Sequence, residues 1–243
     1  MKLIENIKLR YRAHKYKTKN DPGGIDYILS SVLSNQTVLD IGAHKAGYLY
    51  FLRKKVGHDG KVYAFEPQTN LYEYLQKIKS QSNWENVTIE HLALSDSSSE
   101  VTLFIPTNKV KKGSSPGATI VEEKGRMESG ITEQVRTQTL DQYCFTHHIQ
   151  PHFLKIDVEG NELKVFKGGA TIIQDCHPKI LVEIEARHVG REKAEETFDY
   201  LKSLKYKGYF LHGYNHVPIT EFSFDKFQNI DDPFNYCNNF IFE

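Results

Sequence analysis

Three cysteines in 243 residues (Cys144, Cys176 and Cys237) are too few and too scattered for a disulfide framework or a zinc site. Each is expected to be a small buried hydrophobe, and their scarcity points to a reducing, cytoplasmic setting. Long apolar runs are also lacking. No stretch approaches the roughly 18 residues that span a bilayer, and the basic N-terminus lacks the apolar core of a signal peptide. Net charge is absent as well: lysine plus arginine and aspartate plus glutamate number 31 each, so the overall balance favours no class of partner. There is no internal repeat and no sign of a second domain.

What is present suits one α/β domain. The chain is 39% hydrophobic and long enough to bury a sizeable core. Basic residues gather at the start. Lys2, Lys8, Arg10, Arg12, Lys15, Lys17 and Lys19 stand against the single acid Glu5. Residues 1–34 therefore read as a basic helical extension, either solvated or touching a phosphate-bearing ligand, nucleic acid or anionic membrane. Residues 35–243 read as the main domain.

Strand and helix signals alternate along it. Thr37–Ile41 is an apolar run ending in a glycine turn, after which Leu49, Leu52 and Val56 share a helical face. Lys61–Phe65 is β-rich, and Leu71, Tyr74, Leu75 and Ile78 follow helical spacing. Val87–Leu94 reads as a third strand, and Glu100–Ile105 and Val135–Leu140 as two more. Residues 106 to about 134 read as a loop insertion. Phe153–Asp157 is a core strand before a helix carrying Leu163, Phe166 and Ile173. Lys179–Ile184 is another strand, and Ala194, Phe198 and Leu201 mark the last helix. Gly208–Gly213 and Asn239–Phe242 suggest a closing antiparallel hairpin. The pattern implies βαβ units and a mainly parallel sheet.

In such sheets, ligands bind at the carboxyl ends of strands. Asp40-Ile41-Gly42-Ala43-His44-Lys45-Ala46-Gly47 sits at one such end. Glycine allows close backbone approach, and Asp40 can receive the ammonium of a bound amino acid. A tight turn of any α/β protein would look similar, but Glu66 ends the second strand 26 residues later. An acid there commonly bonds the ribose hydroxyls of an adenosine cofactor. A dinucleotide suits the turn poorly, because His44 replaces the second glycine of G-x-G-x-x-G and Asp40 places a carboxylate near the phosphate position. A cofactor with an amino-acid portion and no phosphate suits it better, which describes S-adenosylmethionine.

These pieces resemble the FkbM family of methyltransferases. The resemblance rests on Asp40 to His44, Val62 to Pro67, Ala93 to Asp96, Thr139 to Asp141, Phe153 to Glu162 and Leu181 to Ile184, in family order. The block Lys155-Ile156-Asp157-Val158-Glu159-Gly160 is the most specific. It implies a Rossmann-like class I methyltransferase, with a mainly parallel seven-stranded sheet, a reversed last strand and helices on both faces. It also implies cofactor contacts at Asp40, Gly42 and Glu66, with Ala43 and His44 in the same turn and Ser95 and Asp96 near the adenine. The family usually has glycine where Ala46 stands; alanine is small, so the turn is expected to survive. Gly113 to Thr119 resembles a Gly/Ser stretch of the family and reads either as a lid carrying Ser115 and Thr119 over the acceptor or as a solvated loop.

Asp157 and Glu159 point the same way on a strand, and Glu183, Glu185 and His188 follow the next strand. Asp157 is expected to orient cofactor or acceptor, with Glu159 beside it, Lys155 neutralising the acids, Glu183 contacting the acceptor and His188 serving as base. The same acids read equally as a structural ion-pair network, and His188 as a surface histidine. Asp157 and Glu183 leave room for a divalent cation. Tyr206, Tyr209, Tyr214, His212 and His216 read as an acceptor wall or as core residues. The expected activity is O-methylation of a sugar, glycan or natural-product hydroxyl, with a homo-oligomer left open. Two other readings compete. One is an RNA methyltransferase using the basic segment, although the remaining chain is more acidic than basic. The other is a non-catalytic partner subunit, disfavoured because Asp40, Glu66 and the acidic block are all present.

Overall fold

The computed structural model describes residues 2–106, 118–120 and 130–243, with side chains from residue 5 onward. Helix α1 (Lys2–Lys15) runs into a π-helical turn at Tyr16–Asn20 and then α2 (Pro22–Ser31). Asp21 caps α2, its Oδ1 accepting from the Gly24 N–H at 2.9 Å, and Pro22 occupies the first helical position, where its missing N–H costs nothing. The alternating part follows as β1 (Thr37–Ile41), α3 (Leu49–Val56), β2 (Lys61–Phe65), α4 (Thr69–Ser82) and β3 (Val87–Glu90). A smaller unit comprises β4 (Ala93–Ser95), β5 (Glu100–Pro106), β6 (Thr119–Ile120) and β7 (Gly130–Thr139). The chain then returns to the main layer through α5 (Leu140–His147), β8 (Phe153–Ile156), α6 (Glu162–Gly168), α7 (Ala170–Cys176), β9 (Lys179–Glu183), α8 (Ala186–Val189) and α9 (Arg191–Ser203). It closes with β10 (Gly208–His212), β11 (Asn215–Pro218), α10 (Phe224–Phe227) and β12 (Asn239–Phe242).

Eight strands form the main sheet, in the order β11-β10-β12-β9-β8-β1-β2-β3. The run β9-β8-β1-β2-β3 is parallel, and β12 lies antiparallel to both β9 and β10. The reversed last strand is therefore present. The expected seven strands become eight because Asn215–Pro218 folds back on β10, a hairpin too short and polar to read from periodicity. Alternation along β1 and β8 splits the core. Leu39, Ile41, Leu154 and Ile156 join the α5, α6 and α9 side, and Val38 and Phe153 join the α1–α4 side.

Several boundaries differ from the sequence expectations. Val87–Leu94 is not one strand: the chain breaks after Glu90, and β4 leaves for a second sheet ordered β4-β7-β5-β6. The insertion is shorter than 106–134, since Gly130–Thr139 pairs with β5 from Glu100↔Arg136 to Pro106↔Gly130. Leu140 starts α5 instead of ending a strand, because Thr139 caps that helix through the Gln142 N–H at 3.1 Å. Helices α1 and α2, with the π-helical turn between them, pack on the sheet. Ile25, Ile28 and Val32 are buried with Leu49 and Leu52 of α3.

Candidate active site

The turn after β1 is held in left-handed backbone. Gly42, His44 and Ala46 have φ of 83°, 47° and 64°. A Cβ on Gly42 would lie 1.8 Å from the Asp157 carbonyl oxygen, so only glycine lets this turn sit against the end of β8. The turn is anchored to β2: the Gly42 and Ala43 N–H groups both donate to the Phe65 carbonyl at 3.0 Å. Glu66 completes the bridge. Its Oε2 accepts from the His44 N–H at 2.8 Å and its Oε1 from the Gln68 N–H at 2.9 Å. Burial pushes its carboxyl up to about 7, although both N–H groups favour the charged form.

Strand register sets a row of charges on the α1–α4 side. Asp40 and Lys155 are paired positions of β1 and β8, and Glu183 shares a face with Leu181, packed on that same side. The Lys155 ammonium lies 3.2 Å from Asp157 Oδ2 and 3.9 Å from Asp40 Oδ1, and 4.6 Å above the Tyr48 ring. Burial alone would lower the Lys155 pKa; the Asp157 and Asp40 carboxylates outweigh it and raise it. Asp40 is fully buried, among the described residues neither of its oxygens has a hydrogen bond, and desolvation pushes it up to about 6. Glu183 accepts from Asn238 Nδ2 at 2.7 Å and is driven well above the carboxylate range, first by burial and then by Asp157 and Glu185.

A second cluster follows β8. Glu159, at φ 52°, has Oε2 3.2 Å from His188 Nδ1. Its carboxyl is pushed up to about 8 by burial and by Asp157 and Glu185. Glu185 is buried against Tyr236, Asn238 and Arg187. The Thr119 hydroxyl donates to the Glu159 carbonyl at 3.2 Å. Glu162 accepts from the Gly160 N–H at 2.9 Å.

These groups surround a cavity of about 280 Å³ at the carboxyl ends of the parallel strands. Gly42, His44, Glu66, Asp157, Glu159 and Glu183 line it, all expected from sequence. Asp40, Ala43, Lys155, Ser95 and Asp96 do not. Asp40 lies beneath the surface, 3.9 Å from the Lys155 ammonium. At the apolar end the wall is Leu92, Ala93 and Leu94, while Ser95 turns inward to accept from Asn161 Nδ2. His188, Thr119 and Asp96 border a neighbouring cavity of about 420 Å³, which meets the first at Glu159, Asn161 and Ile120. Ser115 lies outside the described residues. The tyrosine and histidine set of the C-terminal region takes no part. Tyr206 is buried with its hydroxyl on the Pro178 carbonyl, and His216 packs edge-on against Tyr27.

Sequence reasoning missed Tyr16, Gln68 and Arg187 in the cavity wall. Tyr16 had no signal of its own, since it sits among charged residues in the N-terminal extension. Among the described residues, no group of three or more His, Cys, Asp or Glu is arranged to hold a metal ion. Beside Asp157 stands the Lys155 ammonium, 3.2 Å from its Oδ2.

A cavity at the carboxyl ends of a parallel sheet, closed by a reversed last strand, defines a Rossmann-like class I methyltransferase domain. The chain belongs to the FkbM methyltransferase family: the family model described as the Methyltransferase FkbM domain matches residues 40–211. No curated protein matches. Among solved structures, methyltransferase FkbM from Methylobacillus flagellatus is 15% identical with a TM-score of 0.53, covering 98% of this chain and 55% of that one. This chain thus spans little more than half of that relative's length. A provisionally assigned O-methyltransferase from Klebsiella pneumoniae is 7% identical with a TM-score of 0.50, covering 97% of this chain and 86% of that one. At these identities the likeness shows the fold.

Proposed function

We propose that this chain is an S-adenosylmethionine-dependent O-methyltransferase acting on a hydroxyl of a sugar, glycan or natural product. The observation that carries the reading is Glu66, buried at the end of β2 and oriented by two backbone N–H groups while lining the cavity. Fixed in that way, its remaining lone pairs suit vicinal ribose hydroxyls. Leu92, Ala93, Leu94 and Phe65 supply an apolar wall for an adenine, and the Gly42–His44 turn with Asp157 suits an amino-acid portion. The buried His44 Nε2, without a hydrogen bond among the described residues, is a polar group that a ligand there would satisfy.

When bound, the cofactor supplies an electrophilic methyl group. The chain's part is to place the acceptor oxygen in line with that methyl and to take the hydroxyl proton. Glu159 is suited to the proton: it faces both cavities, and its pKa of about 8 lies near operating pH. His188, 3.2 Å away, holds the carboxylate and can pass the proton on. Glu159 would receive the hydroxyl proton as the acceptor oxygen takes the methyl group, and the demethylated cofactor would be the leaving group. The neighbouring cavity, bordered by His188, Thr119, Lys193 and Glu196, offers the mixed donors and acceptors that a polyhydroxylated acceptor needs.

For the RNA reading, one of the seven cations of the basic segment is already engaged: Arg12 donates to the Lys45 carbonyl at 2.7 Å and the Tyr74 hydroxyl at 2.8 Å. Among the described residues, no helix is long and apolar enough to cross a membrane. Calorimetry with S-adenosylmethionine is the test, comparing wild type with Glu66→Ala and using NAD as control. Micromolar binding that the substitution weakens supports the reading and leads to a screen of methyl glycosides with magnesium or EDTA. Binding of NAD instead, or of neither, ends it.

A further inference from the structure

Tyr16 stands 24 residues before the region matched by the family model, which begins at residue 40. Its side chain nevertheless lines the cavity together with Gly42, His44, Asp157 and Glu183. Several contacts hold it there. A Cβ on Gly47 would lie 2.6 Å from the Tyr16 ring, so the glycine leaves open the space that the ring occupies. The ring meets Tyr48 edge to face at 5.4 Å, and the Tyr48 hydroxyl donates to Asp21, the cap of α2. One turn earlier, Arg12 ties α1 to the Lys45 carbonyl. A π-helical turn carries the residue, a geometry frequent at functional sites.

Its position along the cavity is set by packing. The ring lies against Gly47 and Tyr48, and Tyr48 in turn covers the Lys155 ammonium, which is 3.2 Å from Asp157. Glu66 and the Leu92–Leu94 wall mark the nucleoside end in the reading above, so Tyr16 stands at the other end. Tyr16 is half-buried, and that burial pushes the phenol pKa up.

We infer that Tyr16, delivered by the N-terminal segment, is a cofactor-binding residue that closes the cavity over the amino-acid half of S-adenosylmethionine, its ring covering the chain and its hydroxyl bonding the amino-acid head group. The inference rests on the cofactor reading. It makes the N-terminal segment a wall of the active site in this chain, beyond the part the family model describes.

Calorimetry on the full chain with two probes tests it: S-adenosylmethionine and 5′-methylthioadenosine, which keeps the nucleoside and lacks the amino-acid half. Tyr16→Ala should weaken S-adenosylmethionine binding at least tenfold and leave 5′-methylthioadenosine within twofold. Tyr16→Phe, which keeps the ring, should lose about fivefold for S-adenosylmethionine alone, of the order of one hydrogen bond. Retained nucleoside binding shows that the variants fold. Unchanged affinity for both probes in Tyr16→Ala overturns the inference, and so does an equal loss for both, which would make the ring a packing element. If wild type binds neither probe, the cofactor reading itself falls, and this inference with it.

Discussion

Asp40 and Lys155 are paired residues on adjacent parallel strands, and the Lys155 ammonium bridges from Asp40 Oδ1 at 3.9 Å to Asp157 Oδ2 at 3.2 Å. Tyr48 lies above the bridge, and among the described residues neither Asp40 oxygen has a hydrogen bond. A buried pair of this kind stabilises little in itself, but breaking it strands a charge. Lys155→Met should therefore destabilise the fold by about 3–5 kcal/mol. Adding Asp40→Asn should recover part of that loss, because the stranded carboxylate is removed. Urea unfolding of the two variants measures both effects.

Stability should fall as pH rises. Asp40 is pushed up to about 6, Glu66 and Glu162 to about 7 and Glu159 to about 8, against ordinary values of 3.8 for aspartate and 4.5 for glutamate. A carboxyl with a raised folded-state pKa binds its proton more tightly in the folded state, so its contribution is full below the ordinary value and is lost as pH climbs through the raised one. The melting temperature should drop between about pH 5 and pH 8. Glu66→Gln should flatten that dependence in the stretch up to about pH 7. A melting temperature that rises over this range would show that these acids are paired more favourably than their surroundings imply.

Activity should run the other way. If Glu159 takes the acceptor proton, it must be ionised, so kcat/KM should rise with pH and level off above about 8. Glu159→Gln should remove the rise and lower the rate by roughly 10²–10⁴. His188→Gln should shift the midpoint, since it alters the partner 3.2 Å from the carboxylate. A Glu159→Gln enzyme with an unchanged profile assigns the proton to another group.

Ala46 carries a strain that glycine would not. At φ 64° an alanine side chain crowds its own backbone. Ala46→Gly should stabilise the fold by roughly 0.5–1 kcal/mol, a rise of about 1–4 °C in melting temperature. Calorimetric melting of the two proteins decides it; a drop would mean that the buried Ala46 methyl contributes more by packing than its backbone costs.

Gly42→Ala should do the opposite. Its φ is 83°, and the new Cβ would meet the Asp157 carbonyl at 1.8 Å, so β1 and β8 would have to separate at the cavity mouth. Cofactor binding should be lost in calorimetry even if a melting transition survives.

Much of the fold could be read from residue order, because its signals are local. Apolar periodicity marked the parallel strands and the helices between them, and the glycine turn after β1 and the acid after β2 stood at strand ends where chemistry-bearing residues are expected. Thus Gly42, His44, Glu66, Asp157, Glu159 and Glu183 were named before their cavity was known. Other features depend on which distant surfaces meet. Nothing around Glu90 announces that the chain leaves one sheet for another, since both pieces keep strand patterning. Asp40 looked like a ligand group because sequence shows that an acid is present but not which way it faces; the register of β1 against β8 turned it to Lys155. Tyr16 lies 31 residues from Gly47, and only the folding of α1 and α2 over the sheet brings ring and glycine together. The sequence by itself determined the class of fold and the kinds of groups at the strand ends, because those follow from backbone period and turn chemistry. The tertiary structure alone decided which of them share a cavity, since that depends on strand register and long-range packing.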